Sequence, residues 1–526
     1  MLGSVRASFS ACRGGVRGLP SAGFAVASGV LLAASFPKFG HGSLAFVAMV
    51  PLLVAIARDQ GRHAARLGYI TGAVWSLGTL YWTASVVMQY SGMGLPLGIA
   101  AVAALCLAVS IFPLLFALVL GRWVQVLGPV AVLGAPVAWT ATEILRTHTF
   151  FRFPWCLLGY TQHDHPHLLQ LASLTGVYGL SFLVAGVSGA IAYWIVDRGR
   201  LSGRLALAGA ASLLVLTWGY GEVRLRSSPE ETTDMLSVGL IQASIRQQEK
   251  WDPERAQENL ERHIRLTREA AGAGARLVIW PESSVPGFLD HSPRLAAQLR
   301  ALAEQLDIFL IFGNDDVRLD PEGSRRILVG AKMLAPDGGL TLRYHKINLV
   351  PFGEYVPLKS LFTLGGRFTG RVVRQVADFE PGAGPVVARL ESDRLGVFIC
   401  YEAIFPDLAR AYVDAGAGLL VNITNDGWYG RSSAPYQHFA MARFRAVETG
   451  RYMARAANTG ISAVVDPLGR VQVASRLFEE RVVMGQIGFR YDTTPYVRFG
   501  DVLAWSCLVV SLLGVGACFG MARRAA

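Results

Sequence analysis

The chain has 526 residues, of which 52% are hydrophobic and 17% are charged, and its formal net charge at pH 7 is +11. This composition excludes an ordinary soluble globular protein and favours a membrane domain joined to a globular domain. A nucleic-acid partner would require the basic excess to lie on the polar part of the chain, but residues 228–495 carry 31 Lys and Arg against 32 Asp and Glu. The excess lies elsewhere, so the charge gives no indication of nucleic-acid binding.

Eight apolar stretches are candidates to cross about 30 Å of hydrocarbon. They occupy residues 20–37, 43–57, 68–88, 96–121, 127–145, 172–196, 204–220 and 501–522. Seven precede the polar stretch and one follows it. The sequence therefore predicts a polytopic α-helical membrane domain of about seven helices over 1–227, a globular domain over 228–495 and a C-terminal transmembrane helix within 496–526.

Basic residues cluster in alternate connections between these apolar stretches. The clusters are Arg6, Arg13 and Arg17; Arg58, Arg62 and Arg66; Arg122; Arg198, Arg200 and Arg204; and Arg523 with Arg524. Short loops that are rich in Lys and Arg stay on the cytoplasmic side of a membrane. Both termini are therefore predicted to be cytoplasmic, and the polar domain, which follows seven crossings, is predicted to face outward.

Strand and helix patterns alternate along the polar stretch, which is typical of an α/β domain. The predicted strands are 237–242, 275–280, 308–313, 326–334, 339–345, 395–400, 419–423, 461–466 and 471–473, of which the last two are expected to close the domain. The predicted helices are 253–271, 294–306 and 436–449, with a further helix between the strands at 395–400 and 419–423.

Three residues with catalytic chemistry follow predicted strands. Cys400 ends the apolar run Leu395–Cys400 and is the one cysteine of the polar stretch, so it has no disulfide partner there. A thiol becomes a nucleophile when a base and a cation are close to it. Glu282 follows a buried strand and Pro281, where a carboxylate can act as a general base, and Lys346 follows the strand that ends at His345, where an ammonium can stabilise an oxyanion. Taken singly, a buried cysteine, a surface glutamate and a solvated loop lysine are the ordinary alternatives.

Taken together, the motifs Trp280-Pro-Glu-Ser283, Tyr344-His-Lys346 and Cys400-Tyr-Glu402 resemble the Glu-Lys-Cys triad of the nitrilase superfamily. The flanking apolar stretches make the whole chain similar to the apolipoprotein N-acyltransferase family. The further matches to that family are Lys250-Trp-Asp-Pro253, Val350-Pro-Phe-Gly-Glu-Tyr-Val-Pro357 and Asn422-Ile-Thr-Asn-Asp-Gly-Trp428.

The resemblance implies a four-layer αββα sandwich on the periplasmic face of a bacterial inner membrane and a reaction that needs no cofactor and no metal. It implies that Cys400 takes an acyl chain from a membrane phospholipid and passes it to the amino-terminal amine of a diacylated apolipoprotein. Glu282 would be the base, and Lys346 with the Tyr401 backbone amide would stabilise the oxyanion.

The resemblance also marks four supporting residues. Glu354 is expected to orient Lys346 or Cys400, and Glu402 is expected to have a structural or orienting role. Trp251 is expected either to line an acyl channel or to anchor at the membrane interface, and Tyr401 follows the nucleophile directly.

Two other classes of protein remain open at this point. A membrane-tethered amidohydrolase would use the same triad with water as the acceptor. A transporter with a ligand-binding outer domain predicts ionisable residues along several spans, and these are scarce in the apolar stretches.

Overall fold

The structure is a computed structural model that describes residues 21–90, 94–149, 152–227, 235–319, 323, 325–355 and 379–525. Two features named above fall partly or wholly outside these residues. They are the arginines that precede the first apolar stretch and the last two residues, Val356 and Pro357, of the motif that begins at Val350.

Apolar helices make up the part of the chain before the sheets. They are α1 (Ser21–Ala34), α2 (Ala45–Ala48), α3 (Val50–Arg58), α4 (Ala64–Leu80), α5 (Thr83–Tyr90), α6 (Gly94–Val109), α7 (Ile111–Leu127), α8 (Ala135–His148), α9 (Pro166–Leu169), α10 (Ala172–Val196) and α11 (Leu201–Arg226). Each predicted apolar stretch of this region overlaps at least one of them. The stretch 68–88 is interrupted by a turn at Tyr81 and Trp82, which separates α4 from α5.

Four helical segments of the described chain are long and apolar enough to cross a membrane. They are Gly98–Leu127, Ala172–Val196, Leu201–Arg226 and Val502–Met521. On α11 the side chains of Leu205, Val215 and Leu216 are each more than 60% exposed. Such a surface is stable against hydrocarbon and not against water, because an exposed apolar face gains nothing from contact with water. A helical membrane region is therefore confirmed, while the number of spans stays a prediction.

The polar stretch forms two six-stranded sheets with helices outside them. The strands are β1 (Leu236–Gln242), β2 (Leu277–Ile279), β3 (Phe309–Gly313), β4 (Asp316–Leu319), β5 (Arg325–Leu328), β6 (Gly330–Leu334), β7 (Leu340–His345), β8 (Val387–Leu390), β9 (Asp393–Ile399), β10 (Leu419–Thr424), β11 (Tyr452–Ala457), β12 (Ala463–Val465), β13 (Val471–Ala474) and β14 (Arg481–Ile487). The helices are α12 (Gln247–Lys250), α13 (Ala256–Gly272), α14 (Pro293–Leu306), α15 (Pro406–Asp414) and α16 (Ala434–Thr449), followed by α17 (Pro495–Phe499) and α18 (Val502–Ala525).

The first sheet has the order β14-β1-β2-β3-β6-β7 and the second has the order β13-β12-β11-β10-β9-β8, while β4 and β5 form a separate hairpin. Successive residues of a strand point to opposite faces of a sheet. Leu240 and Ile279 therefore belong to the core shared with the second sheet, whereas Ile241 and Val278 pack with Leu260 and other residues of α13 and α14. With α15 and α16 beside the second sheet, the predicted αββα sandwich is confirmed.

Three details of the sequence prediction are wrong. The run 326–334 is two strands, because β5 pairs with β4 whereas β6 pairs with β3 and β7. The domain does not close at β13, since β14 follows and pairs antiparallel with β1 along its whole length. The strand β11 was not predicted, although it lies between β10 and β12 in the second sheet.

A buried ion pair connects the αββα sandwich to the helical region. Gly176 interrupts α10 with a φ of 63°, and the freed Val177 amide donates to Glu448 Oε1 of α16 at 3.0 Å. Arg445 Nε lies 2.8 Å from the other oxygen of Glu448, and Arg445 also donates to the Tyr160 hydroxyl at 2.9 Å. Because both charges are fully buried, each needs these partners to offset its desolvation. The contacts fix α16 against the helical region.

Candidate active site

Cys400 begins a tight turn directly after β9. It is 4% exposed, its φ is 51°, and a short 3₁₀ segment runs from Cys400 to Ile404. A left-handed conformation at a residue other than glycine costs on the order of 1–3 kcal/mol and persists only where neighbours enforce it. His438 Nε2 enforces it here by donating to the Cys400 carbonyl at 3.0 Å. The turn holds the thiol at the carboxyl end of β9.

Lys346 follows β7 and is completely buried. Its Nζ lies 2.6 Å from Glu354 Oε1 and 3.4 Å from Glu282 Oε1. Burial opposes the charge, but these two carboxylates outweigh burial and hold the pKa of Lys346 well above its usual value. The ammonium is therefore a permanent cation at neutral pH.

Glu282 lies three residues beyond β2 and is 7% exposed. Its Oε2 accepts the Asn425 amide at 2.8 Å, and Asn425 directly follows β10. Its backbone carbonyl accepts Lys250 Nζ at 2.6 Å. The carboxylate is thus held between Lys346 on one oxygen and the start of a second loop on the other.

Glu354 is fixed by the turn that follows Lys346. Its second oxygen accepts the Val350 amide at 2.8 Å, and its own amide donates to the Val350 carbonyl at 2.9 Å. The side chain therefore reaches Lys346 from a closed local loop. The role expected for Glu354, to orient Lys346 or Cys400, stays a prediction.

The thiol of Cys400 rests in its protonated form. Burial raises its pKa, the charge of Glu282 raises it further, and Lys346 and a hydrogen bond with Thr424 oppose these effects without overcoming them. A thiol is a poor nucleophile until it loses its proton. The arrangement therefore needs a base at the moment of reaction, and Glu282 is the carboxylate whose charge acts most strongly on the thiol.

Glu402 joins the turn that begins at Cys400 to the segment that carries Lys346. Its Oε1 accepts the amides of Ile347 at 2.6 Å and Asn348 at 3.1 Å, and its Oε2 accepts the Ile399 amide at 2.7 Å. The Tyr344 hydroxyl donates to the same carboxylate at 2.8 Å. Burial raises the pKa of Glu402 to about 7. All of these contacts go to backbone amides and a tyrosine hydroxyl, and the structural or orienting role expected for Glu402 stays a prediction.

The other two supporting residues lie in different surroundings. Tyr401 is buried, its ring stacks on Trp155 with centroids 6.5 Å apart, and its hydroxyl donates to the Arg152 carbonyl at 3.4 Å. Trp251 is 57% exposed, and Lys250 Nζ lies 6.0 Å from its ring centroid. Tyr401 therefore contacts the helical region, while the exposed ring of Trp251 is free to meet a lipid or an interface.

A buried polar network behind Cys400 was not predicted from the sequence. His438 Nδ1 lies 2.9 Å from Asp426 Oδ1, and Arg455 donates to Asp426 Oδ2 at 3.0 Å and to the Asn422 side chain. Burial opposes ionisation of Asp426, but Arg455 and His438 lower its pKa to about 2. Asn422 lies in β10, Asp426 in the turn after it, Arg455 in β11 and His438 in α16, so no local sequence signal connects all four.

Two charged residues near the triad were also not predicted. Burial lowers the pKa of Lys250 to about 8, and its charge interacts with Glu282, Asp315 and Cys400. Burial raises the pKa of Asp315 to about 6, and Asp315 accepts the Gly330 amide at 3.3 Å. Within the described chain, no group of His, Cys, Asp or Glu is arranged to hold a metal ion.

The fold and the site define a carbon-nitrogen hydrolase domain attached to a membrane domain. Residues 237–491 match the carbon-nitrogen hydrolase family, and residues 28–190 match the apolipoprotein N-acyltransferase N-terminal domain. An apolipoprotein N-acyltransferase of Geobacter metallireducens is 40% identical over 92% of this chain and 92% of its own length. One from Methylococcus capsulatus is 33% identical over 95% and 96%.

The chain therefore belongs to the apolipoprotein N-acyltransferase family, and it is an acyltransferase of the carbon-nitrogen hydrolase superfamily. Among solved structures, an amidase from Nesterenkonia of the nitrilase superfamily matches 50% of this chain and 93% of its own length, with 22% identity and a TM-score of 0.37.

Proposed function

We propose that this enzyme transfers an acyl chain from a membrane phospholipid to the α-amine of a diacylglyceryl-cysteine at the amino terminus of an apolipoprotein. The intermediate is a thioester on Cys400. The observation that carries the proposal is the completely buried Lys346, whose Nζ lies 3.4 Å from Glu282 Oε1 and 2.6 Å from Glu354 Oε1. The helices that are long and apolar enough to cross a membrane support a lipid as the donor.

In the first half-reaction the Glu282 carboxylate takes the proton of the Cys400 thiol. The sulfur then attacks the carbonyl carbon of the phospholipid ester, and a carbon–sulfur bond forms. When the tetrahedral intermediate collapses, the carbon–oxygen bond breaks, and the departing lysophospholipid alkoxide takes the proton from Glu282. The products are an acyl thioester and a lysophospholipid, and Glu282 is again a carboxylate.

Lys346 and the backbone amide of Tyr401 stabilise the negative oxygen of this intermediate. Lys346 is suited to the role because its charge is permanent and its side chain is held by two carboxylates, so no reorganisation is needed when the oxyanion forms. Glu354 is a positioning residue for Lys346, and Glu402 keeps the Lys346 segment next to the nucleophile turn.

In the second half-reaction the neutral α-amine of the acceptor attacks the thioester carbonyl. Glu282 takes the proton that the nitrogen loses, an amide bond forms, and the carbon–sulfur bond breaks. The thiolate of Cys400 then recovers the proton from Glu282. Two successive lipid encounters replace one encounter of three bodies, because the thioester stores the acyl group between them.

The proposed placement puts residues 228–495 in the periplasm and both termini in the cytoplasm of a bacterium with an inner membrane. The distribution of arginine supports it, since the basic clusters fall in alternate connections. The domain limits 1–227, 228–495 and 496–526 belong to the same proposal. Trp251, with its exposed ring, would then meet the lipid that enters the site.

The test uses the purified full-length protein in detergent micelles with phospholipid and a synthetic diacylated lipopeptide. The proposal predicts equal amounts of lysophospholipid and triacylated lipopeptide, and neither product with Cys400→Ala. A matched lipopeptide whose α-amine is acetylated must accept nothing. Release of free fatty acid with no acylated peptide, or hydrolysis of small soluble amides without acyl transfer, would instead identify a membrane-tethered amidohydrolase.

A further inference from the structure

One buried amide on the catalytic helix α16 binds the helical region at four points. Gln437 is 2% exposed. Its Oε1 accepts the indole N–H groups of Trp155 at 2.8 Å and Trp82 at 3.3 Å. Its Nε2 donates to the backbone carbonyls of Pro37 at 3.0 Å and Thr79 at 3.2 Å. With the helical region, the amide oxygen therefore accepts two hydrogen bonds and the amide nitrogen donates two.

The four partners come from three separate segments of the helical region. Pro37 lies in the turn after α1, Thr79 and Trp82 lie at the end of α4 and just beyond it, and Trp155 lies in the loop after α8. A single side chain of the catalytic sandwich thus joins segments that are far apart in sequence. An ordinary packing contact between two domains would not need both the oxygen and the nitrogen of one side-chain amide to be hydrogen-bonded across the interface.

The two tryptophans that Gln437 holds form a wall beside the nucleophile. Their rings lie 5.1 Å apart, and the Tyr429 ring lies 4.9 Å from Trp82 and 6.1 Å from Trp155. Trp155 also stacks on Tyr401, the residue that follows Cys400. The wall is aromatic and comes from both parts of the molecule, which suits contact with an acyl chain that approaches from the apolar helices.

Gln437 is also adjacent in the chain to a residue that contacts the turn of Cys400. The next residue of α16 is His438, which donates to the Cys400 carbonyl at 3.0 Å. The ring of His438 also lies 5.7 Å from the Trp155 ring. A displacement of Gln437 would therefore move the aromatic wall relative to the turn that carries the thiol.

We propose that Gln437 is a positioning residue that fixes Trp82 and Trp155 against the nucleophile turn, and that the phospholipid acyl chain needs this wall to reach Cys400. The proposal rests on the proposed function, because it concerns the donor lipid of the first half-reaction. A leucine at this position would leave the Trp155 indole N–H and the Pro37 carbonyl without the partner they have here, whereas Trp82 Nε1 would keep its bond to the Thr79 carbonyl at 2.9 Å. A glutamate would keep the acceptor for the indoles but would place a carboxylate against two carbonyl oxygens.

The experiment compares two reactions of Cys400 in the full-length protein. The first is thioester formation, measured by intact mass against the mole fraction of phospholipid in micelles. The second is alkylation by iodoacetamide, which is small and needs no lipid wall. The matched control is Gln170→Leu, since Gln170 is also a buried glutamine that crosses to the sandwich, where it donates to the Leu468 carbonyl at 2.8 Å.

For Gln437→Leu we expect the apparent KM for phospholipid to rise about tenfold, the factor that corresponds to one lost hydrogen bond. Alkylation should stay within about twofold of the unsubstituted enzyme, and Gln170→Leu should leave the phospholipid KM unchanged. Gln437→Glu should resemble Gln437→Leu. If Gln437→Leu does not fold, Trp155→Phe removes one of the same hydrogen bonds and should raise the KM in the same way.

Two results would overturn the proposal. One is a phospholipid KM that Gln437→Leu, or Trp155→Phe in its place, leaves unchanged. The other is a parallel loss of alkylation and thioester formation, which would mean a general disturbance of the fold. Failure of the proposed function looks different, because the unsubstituted enzyme would then be alkylated normally and would form no thioester at all.

Discussion

Glu282→Gln is the substitution that separates the proposed base from its surroundings. The glutamine carbonyl can still accept the Asn425 amide, which now reaches Glu282 Oε2 at 2.8 Å. The glutamine amide group would then face Lys346, but Lys346 keeps its shorter contact of 2.6 Å with Glu354. The scaffold therefore survives, and the change removes mainly the group that takes the proton.

General-base catalysis by a positioned side chain contributes about 10²- to 10⁴-fold. We expect Glu282→Gln to slow thioester formation by a factor in that range, which corresponds to about 3 to 5 kcal/mol of activation free energy. The effect of the same substitution on the protonation equilibrium of Cys400 goes the other way, because it favours the reactive thiolate. Because the charge of Glu282 raises the pKa of Cys400, its removal should lower that pKa and increase the fraction of thiolate at pH 8 to 9.

The assay is single-turnover thioester formation by intact mass, with Glu391→Gln as the control because Glu391 has 62% of its side chain exposed. The control should react like the unsubstituted enzyme. If Glu282→Gln forms the thioester at the normal rate, Glu282 is not the base and the proton transfer derived above is wrong.

Three further predictions concern the remaining parts of the account. Glu402→Gln places an amide donor against the backbone N–H donors of Ile347 or Ile399. Thermal unfolding should therefore show that the free energy of unfolding falls by about 2 to 3 kcal/mol, and thioester formation should slow. An unchanged free energy of unfolding together with an unchanged rate would contradict the orienting role. Alkylation of Cys400 in the unsubstituted enzyme should rise about tenfold per pH unit between pH 7 and 9, because the thiol titrates above that range; a plateau would mean a resting thiolate. Glu391→Cys should react with a membrane-impermeant maleimide from the periplasmic side, and labelling only after lysis would refute the topology.

Continuous apolar runs were enough to predict much of the sandwich. The strands β1, β2, β3, β9 and β10 are mostly or wholly buried, and each coincides with a predicted run. The strand β11 was missed because Arg455 stands in its centre, and a buried arginine is tolerated there since Asp426 neutralises it. The strand β14 was missed because Gly485 and Gln486 break the alternation of apolar residues.

For the candidate site, too, one part could be predicted from the sequence and another part could not. Glu282, Lys346 and Cys400 could be selected because each follows a strand-like run, and their chemistry is recognisable in the sequence. The contact between Gln437 and the two tryptophans could not be predicted, since it joins residues 355 and 282 positions apart. Long-range polar contacts of this kind leave no local pattern, and only the packed structure brings the partners together.

The central claim is that Cys400 carries the acyl group between two lipids, and intact-mass analysis with peptide mapping tests it most directly. After incubation with phospholipid alone, the enzyme should gain the mass of one acyl chain on the peptide that contains Cys400. Neutral hydroxylamine or a diacylated lipopeptide should remove that mass, and Cys400→Ala should never acquire it. Transfer of the acyl chain to the lipopeptide without any acylated Cys400, or in the Cys400→Ala enzyme, would contradict the account.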